Sequence, residues 1–512
     1  VNMQKGDEKT PRLGVFILFA AIFTAAGCAI IYELLIGSTS SLFLGGSVEQ
    51  FSLTIGFFLF SMGIGSWASR WIEGNLIIRF IQVEIALALV GGSAVSILYA
   101  LYAYTGYFQY GMILLILVIG TLIGLEIPIL TRILRQYDSL KSALSNALSL
   151  DYCGSLIAAL IFPYVLLPFL GTMHTSVITG LINWGVGLIV VIVYRKQLSR
   201  VELGRIYSQV GTVGLLLLSL LFLAQPLVAL WENAMYDDPI VYQEQSPYQS
   251  IVLTKRGEHV RLFLNGHLQF ASVDEYRYHE ALVHPALALT HTRARVLIIG
   301  GGDGLTAREV LKYPEVLEVD LVDLDPAVTL MAMRNPYLTA LNDNALSRSE
   351  VQVYNEDGFS FLQEERPPYG VIIFDLPDPR EEGLAKLYSR EGYRLAKRLL
   401  APGGVIVTQA TSPYYARRAF WCIGNTLKAA GFIPISYHLN IPSFGEWGFQ
   451  LGLQSERDLT VNFEGPLRYL DPFVWQAMRV FDLSIGPIET EINQLDQPVL
   501  ARYYREDWSL WF

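Results

Sequence analysis

Charged residues and cysteines are both scarce in this sequence of 512 residues. Only 16% of the residues are Asp, Glu, Lys or Arg, against about 25% in an average soluble protein. The three cysteines, Cys28, Cys153 and Cys422, lie far apart, which excludes a disulfide framework and the close ligand spacing of a zinc site. We therefore predict that all three cysteines are packing residues, and we expect no metal site.

The shortage of charge is confined to the first half of the chain. Residues 1–230 contain 12 basic and 10 acidic residues, whereas residues 231–512 contain 25 and 37, a net charge of −12. An acidic half repels nucleic acid and favours cationic small molecules, although solubility explains the same excess of acids. We expect no nucleic-acid partner.

Seven apolar segments in the first half are long enough to cross about 30 Å of hydrocarbon as helices. The sequence therefore predicts an all-α transmembrane bundle embedded in a lipid bilayer, with antiparallel neighbours where a connection is as short as Gly171-Thr172. Gly56, Gly63 and Gly65 would let helices pack closely. The predicted spans cover residues 13–36, 51–71, 76–103, 107–131, 142–170, 173–194 and 210–230.

The basic residues of the first half lie in alternate loops, on the side of the segment that precedes the first span. The positive-inside rule places that side in the cytoplasm, at the cell membrane. Seven spans would then place residues 231–512 outside. The sequence alone leaves the span count and this location open.

Two carboxylates, Glu84 and Glu126, lie well inside apolar segments, where a charge is costly and often marks a site. Pro128 interrupts the helix of Glu126, and broken helices with buried acids are typical of transporter cavities. One hypothesis is that the bundle binds or conducts an amine. The alternative is that the two acids pair with Arg79 or Arg132, or hydrogen-bond between helices.

The second half shows two strand patterns after a linker near residues 231–240. Three short alternating runs within residues 240–264, followed by the turn pair Asn265-Gly266, predict a small antiparallel sheet. Apolar strands then alternate with helical segments, which predicts a parallel sheet covered by helices. These strands are Val296–Ile299, Val319–Leu324, Val351–Tyr354, Val371–Phe374 and Val405–Thr408. We therefore predict three parts: helices over 1–230, a small sheet over 231–290 and an α/β domain over 291–512.

Glycines and acids follow four of the parallel strands, where ligands of such sheets bind. The first strand ends in a glycine loop, and an acid about 20 residues further on commonly binds a ribose hydroxyl. Two carboxylates three residues apart follow the fourth strand and can face one pocket. The loop contains Gly300, Gly301, Gly302, Asp303 and Gly304, and the acids at the other strand ends are Asp323, Asp325, Asp357, Asp375 and Asp378. Asp325, which precedes Pro326, is interpreted as a helix cap.

Several motifs in the correct order make residues 240–455 resemble the spermidine synthase (polyamine aminopropyltransferase) family. These are Ser246–Gln249, Leu264–Gly266 with Gln269, Asp274-Glu275, Tyr278–Glu280, the glycine loop, Asp357-Gly358 and Asp375–Pro379. The resemblance implies a Rossmann-like, methyltransferase-type domain and a likeness to membrane-anchored members of the family. It also implies that the protein is a homodimer.

The resemblance implies aminopropyl transfer from decarboxylated S-adenosylmethionine, a co-substrate, to a diamine such as putrescine, with no further cofactor. It implies that Asp375 is the base. Residues implied on the donor side are Gln249, Gln269, His279, Asp303, Asp323, Asp357 and Gly358, beside the glycine loop. Residues implied on the amine side are Tyr278, Asp378, Gln409, Glu446 and Trp447.

The departures from the family pattern fall on the amine side. Leu376 and Pro377 stand where the family has two serines, no acid follows Gln409, and Glu446 or Trp447 replaces an expected tyrosine. Two other functions fit parts of the pattern: a methyltransferase that uses intact S-adenosylmethionine, and a transporter or sensor that binds polyamines without turnover.

Overall fold

The structure, a computed structural model, describes residues 9–45, 47–135, 140–380, 382–465 and 467–511. The chain forms two compact units, residues 1–237 and 238–512, called here the helical unit and the sheet unit. The last helix of the helical unit continues to Met235, so the connection between the units begins later than the sequence pattern indicates.

The helical unit consists of long apolar helices. Their starts are fixed by local chemistry: the Asn75 side chain accepts hydrogen bonds from two backbone N–H groups of α3, and Ser199 and Glu202 form a capping box at α7. The helices are α1 (Lys9–Leu44), α2 (Ser47–Ala68), α3 (Leu76–Tyr104), α4 (Phe108–Leu134), α5 (Leu140–Ile161), α6 (Leu167–Tyr194) and α7 (Arg200–Met235).

A break at Gly171 divides the longest helical stretch. In the described residues, six stretches are long and apolar enough to cross a membrane, and one of them, Lys141–Gln197, has 57 residues. This stretch contains a π-helical turn at Phe162–Leu166 and Gly171 with φ 66° and ψ 179°, values that no helical residue adopts. The break lies where the sequence predicts a connection between two spans.

Close helix contacts depend on one of the three glycines predicted for that role. A Cβ atom on Gly65 of α2 would lie 2.0 Å from the carbonyl oxygen of Thr121 in α4. A Cβ atom on Gly56 or Gly63 would meet no atom of a neighbouring segment within 4 Å. Gly65 therefore allows the two backbones to approach, and the prediction for Gly56 and Gly63 is wrong. The packing prediction is also wrong for Cys153, which is exposed, unlike Cys28 and Cys422.

The sheet unit contains two sheets and ten helices in the part of the chain that is described. The strands are β1 (Ile240–Gln245), β2 (Ser250–Arg256), β3 (His259–Leu264), β4 (His267–Ala271), β5 (Arg295–Gly300), β6 (Glu318–Val322), β7 (Val351–Tyr354), β8 (Tyr369–Asp375), β9 (Leu400–Gln409), β10 (Ile433–Ile441) and β11 (Gly445–Leu453). The helices are α8 (Glu275–Leu289), α9 (Leu305–Val310), α10 (Pro326–Arg334), α11 (Pro336–Leu341), α12 (Gly358–Phe361), α13 (Glu382–Ala385), α14 (Arg390–Leu399), α15 (Arg417–Ala429), α16 (Pro472–Met478) and α17 (Val499–Trp508).

The small sheet is an antiparallel meander of β1 to β4, one strand more than the sequence pattern predicts. Asn265 and Gly266 connect β3 to β4 with φ values of 50° and 76°. Positive φ at both central residues is the geometry of a type I′ hairpin turn, so the predicted turn is confirmed.

The large sheet has seven strands in the order β10-β11-β9-β8-β5-β6-β7. All five predicted strands, β5 to β9, pair in parallel, and β10 and β11 add an antiparallel hairpin. Apolar residues are buried on both faces, as in β8, where Val371 to Phe374 are fully buried. The carboxyl ends of the parallel strands therefore meet at one edge, and their polar residues lie together there.

Candidate active site

The glycine loop after β5 is hydrogen-bonded to the end of β8. The N–H of Gly301 donates to the carbonyl oxygen of Asp375 at 2.9 Å. A Cβ atom on Gly300, which has φ 85°, would lie 2.0 Å from that same oxygen. Only glycine allows this approach, so the loop brings the predicted nucleoside site beside the predicted base.

Asp323 holds the glycine loop from the end of β6. Its carboxylate accepts hydrogen bonds from the N–H groups of Gly302 and Asp325, both at 3.0 Å. Burial raises the pKa of Asp323 to about 6, although these two bonds oppose the shift. Burial likewise raises the pKa of Asp303 to about 6, with His279 opposing the shift and Asp375 supporting it.

Asp325 links the small sheet to the large one. One carboxylate oxygen accepts from the N–H of Ala327 and caps α10, which confirms the predicted helix cap. The other oxygen accepts from the hydroxyl of Ser246 at 2.6 Å and from the side-chain amide of Gln249 at 3.0 Å. Gln249 therefore lies beside the end of β6, and its contact with the donor stays a prediction.

Asp375 lies at the end of β8 between two hydroxyl groups. Tyr278 of α8 donates to one carboxylate oxygen at 2.8 Å, and Thr306 of α9 donates to the other at 2.6 Å. Burial, followed by the negative charge of Asp375, raises the pKa of Tyr278 well above its usual value, so the phenol keeps its proton. The carboxylate is held in one orientation and keeps lone pairs available for an incoming proton.

His279 is a buried cation next to this pair. Its Nδ1 lies 2.8 Å from the Glu275 carboxylate, which in turn accepts two hydrogen bonds from Arg308. Burial alone would lower the pKa of His279, but Glu275, Asp303 and Asp375 together raise it to about 9. The imidazolium therefore offsets part of the negative charge of the strand-end acids.

A second cluster surrounds Asp378, three residues after Asp375. The Tyr504 hydroxyl of α17 donates to Oδ2 of Asp378 at 2.8 Å, while the buried Oδ1 accepts no hydrogen bond from the described residues. Burial raises the pKa of Asp378, and Arg380, Tyr504 and the nearby polar side chains of Thr411 and Gln409 counteract the shift. Gln409 donates to the Tyr388 hydroxyl at 2.7 Å, and Tyr388 donates to the Pro377 carbonyl.

Asp357 and Gly358 follow β7. The Asp357 carboxylate accepts from the N–H of Ser360, which caps α12, and from the Lys386 ammonium at 2.5 Å. Burial opposes the effect, but these two donors lower the pKa of Asp357. A nucleobase bound there would share the carboxylate with Lys386.

Three predicted residues have their described contacts with groups other than Asp375 and Asp378. Gln269 donates to the carbonyl of His267, in the small sheet. Trp447 is buried on the strand face that it shares with Phe449, whose ring lies 5.3 Å from that of Tyr278. Glu446 faces the opposite side of β11 and pairs with His438. The structure therefore places Trp447 nearer to the site than Glu446.

Sequence reasoning missed Thr306, Tyr388 and Tyr504. Thr306 follows the glycine loop by two residues, so a hydroxyl at that position was a usable signal. Tyr504 comes from the last described helix, 126 residues after its partner Asp378, and no local pattern connects the two.

The family comparison agrees with this geometry. A family model described as the spermine/spermidine synthase domain matches residues 275–464. A Leptospira interrogans protein named polyamine aminopropyltransferase is 42% identical over 493 residues, which cover 96% of this chain and 98% of that protein. An Oceanobacillus iheyensis protein of the same name is 40% identical and covers 94% and 95%, and one from Mycobacterium tuberculosis is 35% identical and covers 96% of both.

Among solved structures, a spermidine synthase in complex with the transition-state analogue AdoDATO has a TM-score of 0.45 and 23% identity, over 53% of this chain and 88% of the other. The Thermotoga maritima spermidine synthase has a TM-score of 0.44 and 24% identity over the same shares. The curated relatives, by contrast, match nearly the full length of both chains. On that full-length similarity, the chain belongs to the spermidine synthase family of polyamine aminopropyltransferases.

Proposed function

We propose that this aminopropyltransferase uses a diamine of the putrescine class as acceptor and that Asp375 takes the proton which the amine loses. The donor is decarboxylated S-adenosylmethionine, the co-substrate of the family. The observation that carries the proposal is the Asp375 carboxylate held between Tyr278 and Thr306, beside a second carboxylate with an unpartnered oxygen.

The reaction is a displacement at carbon. The amine nitrogen forms a bond to the aminopropyl carbon next to the sulfonium, the C–S bond breaks, and its electron pair stays on sulfur as methylthioadenosine leaves. The extra proton on the new secondary amine moves to Asp375. Because the sulfonium is already a good leaving group, the protein needs only to align the reactants and accept the proton.

The Asp378 cluster supports a second cationic group on the acceptor. A diamine has a far ammonium, and the unpartnered, buried oxygen of Asp378 is an acceptor without a donor. Tyr504 fixes the other oxygen, and Tyr388 and Gln409 hold the adjacent turn. Gln409 and Trp447 are proposed to border the acceptor pocket. Glu446 is proposed as a more distant member of the amine side, since it lies on the opposite side of β11 from Trp447.

The strand-end acids define the proposed donor side. Asp323 would accept from the ribose hydroxyls, and Asp357 with Gly358 would face the adenine. Gln249, Gln269 and His279 would line the remaining surface. Asp303 would repel the carboxylate of intact S-adenosylmethionine, which the decarboxylated donor lacks. Discrimination between the two donors therefore separates aminopropyl transfer from methyl transfer.

The test is product analysis with purified full-length protein. The protein is incubated with either donor and a panel of monoamines, diamines and triamines, and the products are identified by mass. We expect aminopropylated diamine and methylthioadenosine from the decarboxylated donor, and none from the Asp375→Asn variant. Methylated product from intact S-adenosylmethionine, or no turnover of any diamine, would contradict the proposal.

We also propose that the helical unit lies in the cell membrane as seven spans, with the break at Gly171 separating the fifth from the sixth. Support comes from the length and hydropathy of the helices. The sheet unit is proposed to face the cytoplasm, where its nucleoside substrate occurs. This gives the location of the substrate precedence over the positive-inside rule, which with seven spans would place the sheet unit outside. Reporter fusions after Arg135 and after Arg195 test the count, because seven spans place these two positions on the same side of the membrane and six place them on opposite sides. A fusion after Met235 tests the side of the sheet unit.

A homodimer is proposed from the family resemblance alone. Light scattering on the detergent-solubilised protein, corrected for bound detergent, measures the mass directly. The expected value is twice 57.3 kDa. A value equal to that of one chain would contradict the proposal.

A further inference from the structure

Two buried carboxylates in the helical unit have oxygens without hydrogen-bond partners among the described residues. Glu84 of α3 has 0% of its surface exposed and Glu126 of α4 has 4%. Within the described ranges, both carboxylate oxygens of Glu84 lack a hydrogen-bond partner. The Oε1 atom of Glu126 lacks one too. A buried polar group without a hydrogen-bond partner lowers the stability of the fold by about 1–3 kcal/mol, and by more if it is charged. The burial of these carboxylates therefore needs an explanation.

The structure rules out the pairing that the sequence offered as an alternative. Arg79 donates to the side chain of Gln82, and Arg132 donates to the carbonyl oxygens of Ser69 and Ile72. Among the residues of this unit whose burial is described, the buried polar side chains include no Lys, Arg or His. The protein supplies these acids with no cation of its own there.

The two carboxylates lie at similar depth in neighbouring helices. Gly111 of α4 lies against the side chain of Leu101 in α3, which fixes the register of this antiparallel pair. From that contact Glu84 is about 25 Å away along α3 and Glu126 about 22 Å along α4, at a rise of about 1.5 Å per residue. Their depths therefore differ by about 3 Å, less than one helical turn.

Further hydrogen-bond acceptors without donors face the same region. A Cβ atom on Gly187 of α6 would lie 3.5 Å from the Cβ of Glu84, and Asn183, one turn earlier on that face, has a buried and unpartnered Oδ1. The ring of Tyr32 lies against Gly91, two turns from Glu84 on the same face of α3, and its buried hydroxyl is also unpartnered. Glycine at 187 leaves the space next to Glu84 free of a side chain.

The acceptors together suit an ammonium group, which donates up to three hydrogen bonds and accepts none. The two carboxylates, the Asn183 amide oxygen and the Tyr32 hydroxyl come from four helices, α3, α4, α6 and α1.

We propose that Glu84 and Glu126 form a binding site for a protonated primary amine inside the helical unit. Asn183 completes the set of acceptors, and Tyr32 lies at one end. The identification of the amine as a diamine or polyamine rests on the proposed function of the sheet unit. The site itself is a second one, formed entirely by residues that aminopropyl transfer does not use.

The experiment measures amine binding to full-length protein in lipid nanodiscs. Asp375→Asn/Asp378→Asn serves as the background, so that the amine subsite of the sheet unit does not contribute. Equilibrium binding of labelled putrescine and labelled spermidine should give one remaining site per chain. Adding Glu84→Gln or Glu126→Gln should weaken that site at least tenfold, whereas Glu49→Gln, an exposed acid at the start of α2, should leave it unchanged.

Two further measurements distinguish failure of this proposal from failure of the proposed function. Glu84→Gln in the otherwise native protein should keep its methylthioadenosine release, which shows that the variant is folded. No remaining amine site in the background protein, or one that persists in both glutamine variants, would overturn the proposal and leave the two acids as protonated groups. Loss of turnover with every amine in the native protein would contradict the proposed function instead.

Discussion

Buried carboxylates in the two units of this chain have opposite surroundings. In the sheet unit, Glu280 is fully buried and accepts three backbone hydrogen bonds, from residues 468–470. Glu309 is buried too and bonds to His284, Arg308 and Lys312. In the helical unit, Glu84 is equally buried and accepts nothing from the described residues.

The contrast separates two uses of a buried acid. An acid with several donors stabilises the fold, because each donor would otherwise be left without a partner. An acid without donors stabilises nothing in the protein and is suited to a proton or a cation that arrives from outside. Asp375 and Asp378 lie between these extremes: each is held by hydroxyl groups, and each keeps acceptor capacity for a substrate.

The largest expected effect concerns the acid assigned to catalysis. Asp375→Asn should lower kcat by about 10²–10⁴-fold, since loss of a general base typically costs that much. The affinity for methylthioadenosine should change by less than about threefold, because no part of the nucleoside is assigned to Asp375. Steady-state turnover and calorimetric titration measure the two quantities. The control is Asp496→Asn, an exposed acid, and turnover above half of the native value would remove Asp375 from its role.

The contrast between units predicts opposite stability changes for one substitution. Glu280→Met leaves three backbone N–H groups without an acceptor and should lower the free energy of unfolding by about 3–5 kcal/mol. Glu84→Met removes no hydrogen bond and should leave stability unchanged or raise it. Thermal unfolding of both variants in one detergent provides the comparison. Equal destabilisation would mean that Glu84 has a structural partner.

Asp323 accepts a hydrogen bond from the glycine loop and is also the proposed ribose contact. Its substitution should therefore have an intermediate effect on nucleoside affinity. Asp323→Asn removes a charged acceptor from the proposed ribose contact and should weaken methylthioadenosine about 10–100-fold. Asparagine keeps an oxygen for the N–H of Gly302, which limits damage to the glycine loop. Titration with methylthioadenosine measures the loss, and unchanged affinity would place the ribose elsewhere.

Nucleoside binding should also depend on pH through the same group. The pKa of Asp323 is about 6, raised by burial. The carboxylate is therefore ionised above pH 6, and its charge is lost as the pH falls through that value. Methylthioadenosine affinity should fall about tenfold between pH 7 and pH 5 in the native protein. In Asp323→Asn the dependence should be weaker, because only Asp303, whose pKa is also about 6, still titrates on the donor side. A slope as steep as that of the native protein would assign the titration to Asp303 or another group.

The smallest effect is expected on the amine side. Tyr504→Phe removes the hydrogen bond that orients Asp378 and should raise KM for the diamine about 3–10-fold, with kcat nearly unchanged. Because the Tyr504 hydroxyl lowers the pKa of Asp378, its removal should also shift the acidic limb of the KM profile to higher pH. A change in kcat alone would show that Tyr504 acts on a different step.

Features encoded within a few neighbouring residues were accessible from the sequence. All five parallel strands, the Asn265-Gly266 turn and the cap at Asp325 were predicted, because periodicity and turn chemistry are local. The same local logic located the glycine loop and the acids at the strand ends. Their meeting at one edge follows from the parallel order of the strands.

Features that depend on distant contacts were not accessible. The β10–β11 hairpin and β4 were not predicted, and hydrogen bonds to the strands beside them position these strands. Tyr504 reaches Asp378 from another helix, and Arg79 bonds to Gln82 rather than to a buried acid because of how α3 is oriented. Spacing in the sequence contains no information about which of two possible partners lies nearer.

The bond between Tyr504 and Asp378 has a consequence for the order of events during synthesis. A ribosome adding about 5–20 residues per second needs roughly 6–25 s to extend the chain from one residue to the other. In that interval the helices of the first unit and the glycine loop are already available to fold, while the turn after β8 still lacks the hydroxyl that fastens it. Asp378 therefore acquires this partner only after every described strand of the large sheet has been synthesised.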